Sequence, residues 1–135
     1  MDKLEYIPGD LVSVYVGIKK FIVKVIGVEN ENEVLSYQIK FPNGEIQYAD
    51  NGNIVPIHLT TEILVKNGWK NEMYHDWRYY MTIERNILYL SEGVGIDGAF
   101  SVCVGQDMSH IADISFVHQL QHLLFGLELN SEMEV

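Results

Sequence analysis

His118 and His122 stand four residues apart, a spacing that puts two imidazoles on one face of a helix where they could grip one metal ion. Gln119 occupies the place where the zinc-protease pattern carries its general-base Glu, so that chemistry is not spelled here. A third ligand would have to come from His110, Asp113 or the distant His75, and spacing fixes none of them. No metal or cofactor is therefore assigned. His118 and His122 stand as the alternative metal pair, with structural hydrogen bonding the commoner role. Cys103 lies in an apolar strand, where a free cysteine packs as a small hydrophobe; a nucleophile would want a base and an exposed position. The segment Gly93-Val94-Gly95-Ile96-Asp97-Gly98 lacks the Lys-Ser/Thr of a phosphate loop and the helix that follows a dinucleotide loop. It reads as a hairpin loop. Glu29, Glu31 and Glu33 lack the full ligand series and glycine of a calcium loop, and no two carboxylates are placed for acid–base work. No catalytic residue is assigned.

One cluster speaks of binding. Trp69, Tyr74, Trp77, Tyr79 and Tyr80 put five large rings within twelve residues, and adjacent Tyr79 and Tyr80 must point opposite ways along a strand. They are the candidate interaction surface. The plainer reading, favoured by the area each ring brings to a core, is a seam between two parts of the fold.

The elements that must position these residues follow from pattern. Pro8-Gly9-Asp10 is a turn, and Leu11 to Val16 an apolar-rich strand. Residues 17–20 turn, and Phe21 to Val28 is too rich in Val and Ile for a helix. The run 29–33 is a polar loop. Val34 to Phe41 alternates, and Glu45 to Asp50 repeats the alternation around the hairpin signal Asn43-Gly44. Pairing Phe41 with Ile46 and Ile39 with Tyr48 would collect the apolar side chains on one face, with Pro42 to Glu45 as a four-residue loop. Ile54 to Ile57 makes a fifth strand. Five short strands in this span predict an SH3-like small barrel over residues 1–58.

Residues 59–135 predict an α+β subdomain. Thr60 or Thr61 caps a short helix to about Asn67, with Glu62 in its first turn, Lys66 in its last and Gly68 as its stop. Three antiparallel strands follow between Trp69 and Val104. Phe116, Leu120, Leu123, Leu124 and Leu127 recur at helical spacing, predicting an amphipathic helix capped by Ser115. That helix should cover the second sheet, leaving His118, Gln119, Gln121 and His122 on its other side. The fold class is thus α+β: barrel, short helix, then an antiparallel sheet covered by the C-terminal helix.

Charge narrows the partners. The net of −10 is uneven: up to Arg85 nine basic residues meet twelve acidic ones, and from Asn86 onward seven acidic residues meet none. An acidic surface repels phosphate backbones. Lys19, Lys20, Lys24 and Lys40 are close enough in sequence to form one basic face, although lysine also commonly guards strand edges. The single cysteine, the short acidic opening and the lack of any apolar run near ~20 residues lead to the expectation of a cytoplasmic protein without a membrane partner.

Two stretches carry a resemblance. Residues 57–69, IHLTTEILVKNGW, are similar to the "PI-x-LT-x-E-x-L-x-x-x-GF" segment of a group of small uncharacterised proteins of Bacteroidetes, their phages and mobile elements. Residues 116–127, FVHQLQHLLFGL, resemble the group's C-terminal "YVHQLQNLYFAL" helix, and Pro8-Gly9-Asp10-Leu11-Val12 shares its opening. His122 stands in place of the usual Asn and Leu124 in place of Tyr; Glu128-Leu129-Asn130-Ser131 replaces a Thr-Gly that would end the helix. The resemblance implies no catalytic residue and no cofactor. It brings no known activity; with the missing catalytic constellation and the acidic surface, it leads to the expectation of a non-enzymatic accessory protein of a phage or mobile element acting through protein–protein contacts, self-association being one form. A nucleic-acid-associated module using the barrel is the second reading, and an enzyme built on His110, His118 or His122 with a carboxylate the third.

Overall fold

The computed structural model describes residues 6–32, 34–74, 77–81, 88–91, 99–105 and 109–135, with backbone alone for residue 31 and for 72–74 and 77–81. The chain forms two units. Met1–Ile57 joins Phe116–Glu132 in the first, and His58–Ser115 joins Met133–Val135 in the second.

In the first unit, strands β1 (Leu11–Val16), β2 (Lys19–Glu31), β3 (Val34–Lys40), β4 (Ile46–Asp50) and β5 (Ile54–Val55) make an antiparallel sheet in the order β4-β3-β2-β1-β5. A 3-10 turn, Asn51–Asn53, capped by the Asp50 carboxylate, leads into β5. Among the described residues no pairing joins the end strands β4 and β5 into a closed barrel. The α+β class holds. β2 outruns the expected Phe21–Val28, taking in Lys19 and Lys20 at one end and most of the expected polar loop at the other. Backbone pairing to β1 and β3 satisfies those peptide groups, so hydrogen bonding carries the strand beyond its apolar residues.

Alternation places Val12, Val14, Val23, Val25, Tyr37, Ile39 and Ile54 in the core with Tyr6 and Phe41. Each full burial of such a side chain contributes about 1.5–3 kcal/mol. The rings pack edge-on, Tyr6 to Tyr37 at 5.5 Å and Phe21 to Phe41 at 5.7 Å.

The β3–β4 register differs from expectation by one residue. Phe41 N–H donates to the Glu45 carbonyl at 2.8 Å, and Gly44 N–H to the Phe41 carbonyl at 2.9 Å. Pro42 and Asn43 hold the turn while Gly44, at φ +91, takes the left-handed position, making a three-residue loop in place of four. Lys40 therefore faces Ile46, Ile39 faces Gln47 and Gln38 faces Tyr48. With a side-chain period of two, one residue exchanges the faces of β4. Ile46 and Tyr48 point outward, 53% and 57% exposed, and Ala49 makes the inward contact.

The C-terminal helix α2 (Val117–Gly126) belongs to the first unit, not to the later sheet it was expected to cover. Its start is also displaced from expectation. Phe116 is the N-cap residue and Ser115 is not; the Gln119 side chain reaches back to accept from Phe116 N–H at 3.1 Å. The end is a Schellman motif without glycine. Glu128 N–H donates to the Phe125 carbonyl and Leu129 N–H to that of Leu124, with Glu128 at φ +58.

In the second unit, α1 (Thr61–Lys66) matches its sequence signals. The Thr60 hydroxyl accepts from Ile63 N–H at 3.2 Å, and Gly68 at φ +88 closes a Schellman motif that places Trp69 N–H on the Leu64 carbonyl. Hydrogen bonds from its own amide and from Thr60 hold the Glu62 carboxyl below its ordinary value. Strands β6 (Lys70–Tyr74), β7 (Trp77–Met81), β8 (Leu88–Ser91), β9 (Phe100–Val104) and β10 (Ser109–Ile114) form a sheet in sequential order, two strands more than expected. The expected hairpin loop 93–98 lies outside the described residues.

Glu128 holds a backbone conformation that costs an L side chain roughly 1–2 kcal/mol and glycine little. Glu128→Gly should raise stability by about 0.5–1 kcal/mol, read as a higher urea midpoint at unchanged slope. A lowered midpoint would show that the Glu128 side chain contributes more than its backbone costs.

Candidate functional site

The titratable groups that converge in the first unit do so where α2 meets the turn before β1. Pro8 and Gly9 occupy the centre of that turn, with Gly9 at φ +102 and Asp10 N–H donating to the Ile7 carbonyl. The turn continues the β1–β2 ladder, since Gly9 N–H meets the Val25 carbonyl and Val25 N–H the Asp10 carbonyl, both at 2.8 Å. Asp10 is left with its side chain 2% exposed. Its Oδ2 accepts from Ile7 N–H at 2.9 Å and lies 2.7 Å from His122 Nε2. Gln121 adds three bonds: its Oε1 accepts from Leu11 N–H, and its Nε2 donates to the carbonyls of Gly9 and Ser131.

This overturns the expected polar side of α2. His118 and Gln121, each 4% exposed, are buried with Val117, Leu120 and Leu124, whereas Phe125 is 69% and Leu127 38% exposed. Gln121 can face inward here because backbone groups of Gly9 and Leu11 await partners there. His118 packs against Tyr6 at 5.0 Å, Phe116 at 5.8 Å and His122 at 5.6 Å. Its buried Nδ1 and the buried Tyr37 hydroxyl have no hydrogen-bond partner among the described residues. Burial pushes the His118 imidazole below its ordinary value; Asp10 opposes that shift and His122 adds to it.

The Asp10–His122 pair has the form of a carboxylate orienting an imidazole. Among the described residues no hydroxyl or thiol is bonded to either imidazole, and no three His, Cys, Asp or Glu side chains are grouped to share an ion. His118 and His122 are thus brought together, but by ring packing and Asp10. His110, named as a possible third ligand, is in the second unit and pairs with Asp113 at 3.1 Å. A bulge between His110 and Ala112 turns His110 and Asp113 to the same side of the strand, and His110 is the register partner of half-exposed Cys103. Spacing alone gave no sign of that file, because the bulge breaks the period of two. His75 lies outside the described residues.

Of the five rings offered as an interaction surface, Trp69 is buried at 6% exposure. The side chains of Tyr74, Trp77, Tyr79 and Tyr80 lie outside the described set.

Exposed rings occur elsewhere. On the outward face of the first sheet, Tyr15 (55%), Ile22 (42%), Ile46 (53%) and Tyr48 (57%) are exposed around Lys20, Lys24 and Lys40. Tyr15 is the register partner of Lys20, Lys24 of Lys40, and Lys40 of Ile46. The Lys20 ammonium lies 6.0 Å from the Tyr15 ring centre, and Tyr48 accepts from Gln38 Nε2 at 2.9 Å. None of the three lysines forms an ion pair with a described residue. Edge protection does not explain them, because β2 and β3 are paired on both sides. Among the described residues no helix is long and apolar enough to cross a membrane.

The folded state lowers the His118 pKa, chiefly by burial, while the unfolded chain takes a proton near its ordinary value of 6.5. The unfolded state then binds more protons as pH falls, so stability present above 6.5 declines below it. Thermal midpoints between about pH 7.5 and 5.5 should fall for the native chain and fall less for His118→Phe, which keeps a ring beside Tyr6. Parallel profiles would exclude His118 as the source.

No family model matches this chain, and no curated protein or solved structure matches it, so its geometry carries the functional reading.

Proposed function

We propose that this chain is a non-enzymatic interaction module, an accessory factor that holds a partner on the outward face of β1–β4. The observation that carries the proposal is that face itself. Two tyrosines and two isoleucines stand exposed around three lysines that form no ion pair with a described residue, in a chain whose net charge is −10. Monomeric proteins seldom leave contiguous apolar area uncovered without a use for it. A directly opposed lysine pair such as Lys24 and Lys40 costs stability unless something negative lies over it.

The reading of the first unit as an SH3-like barrel belongs to the same proposal. β2 is thirteen residues long with a register shift between Val25 and Gly27, a device that bends a strand so that it can serve two parts of a curved sheet. A 3-10 turn then returns the chain to pair β5 with β1. The fold analogy suggests no partner. The resemblance of residues 57–69 and 116–127 to small phage and mobile-element proteins supports an accessory role.

Amide chemical-shift mapping on the full chain, with oligothymidylate and polyglutamate as separate anionic probes, tests the proposal. Perturbations should concentrate at Tyr15, Lys20, Ile22, Lys24, Lys40, Ile46 and Tyr48. No perturbation by either probe, or perturbation confined to α2, would overturn it.

A further inference from the structure

Building on the interaction reading above, we infer that the outward face of β1–β4 takes single-stranded nucleic acid, its phosphates on the lysines and its bases on the tyrosine rings. The face combines the two chemistries that such a ligand needs. Lys20 and Lys24 lie four residues apart on β2, roughly 13 Å along the strand, and Lys40 is the cross-strand partner of Lys24. Together they track across two neighbouring strands as a backbone-following row of cations. Tyr15 stands beside Lys20 at one end, and Tyr48 stands beyond Lys40 at the other, on the edge strand β4. Both rings are more than half exposed, as stacking platforms must be.

The rings decide between ligands of the same charge. An acidic peptide would use the lysines but gain little from two open aromatic faces, whereas every base has a π-face to stack. Charge decides between single strand and duplex. A duplex is stiff, carrying one charge per roughly 1.7 Å of axis past the edges of the face, where the rest of a −10 chain repels it. A few nucleotides of single strand can stay within the face.

The test is fluorescence anisotropy of a labelled oligothymidylate of about 12 nucleotides titrated with the full chain. Between about 50 and 200 mM salt, three phosphate contacts should give a slope of log affinity on log salt of about −2. Lys24→Gln and Lys40→Gln should each flatten that slope by about 0.7. Tyr48→Ala should weaken binding by between about 5-fold and 150-fold and leave the slope unchanged, while Tyr48→Phe, which keeps the ring, should retain most of the affinity. All three side chains are exposed, and circular dichroism of each variant checks that the fold persists.

A slope near zero, a duplex of the same length bound as tightly, or equal loss in Tyr48→Ala and Tyr48→Phe would overturn the inference. Polyglutamate perturbing the face while oligothymidylate does not would overturn this inference and leave the interaction module standing. Failure of both probes would remove both.

Discussion

The first unit depends on a polar tie. Gln121 and His122, on one turn of α2, satisfy the backbone and carboxylate of the Gly9–Leu11 segment. Groups taken out of water must find partners or cost about 1–3 kcal/mol each, so the tie specifies where α2 docks more narrowly than apolar contact alone would. Asp10 is the hinge of the arrangement: its backbone extends the β1–β2 ladder, and its buried carboxylate receives both Ile7 N–H and the imidazole. A consequence is that the first unit is discontinuous in sequence, closed by a helix that begins 62 residues after its last strand ends, with His58–Ser115 of the second unit in between.

The same unit shows how one loop determines a surface. Had the Pro42 loop held four residues, Ile46 and Tyr48 would have joined the core and the outward face would have been mostly polar. The three-residue loop with Gly44 in the left-handed position turns them outward beside Lys24 and Lys40. Cross-strand neighbours on the sheet then bring together residues from three strands that no sequence window contains. The file of Cys103, His110 and Asp113 in the second unit has a similar origin, because a single bulge realigns His110 with Asp113.

What the sequence determined by itself was local. The caps of α1 were legible at Thr60 and Gly68 because a hydroxyl accepting from the first turn and a left-handed stop act within a few residues. The strands β1 and β3, the Pro8-Gly9 turn and the α+β class were legible for the same reason. Tertiary structure alone decided which face of α2 is buried and which unit it joins. A stripe of leucines reports hydrophobicity but carries no record of the unpaired carbonyls and amide that draw Gln121 inward, or of the rings against which His118 packs. It also decided the β3–β4 register, since the burial pattern favoured one pairing and the geometry of a Pro-Asn-Gly loop imposed the other. Spacing along a chain reports what neighbours do to one another; long-range hydrogen-bond satisfaction is settled only when distant segments meet.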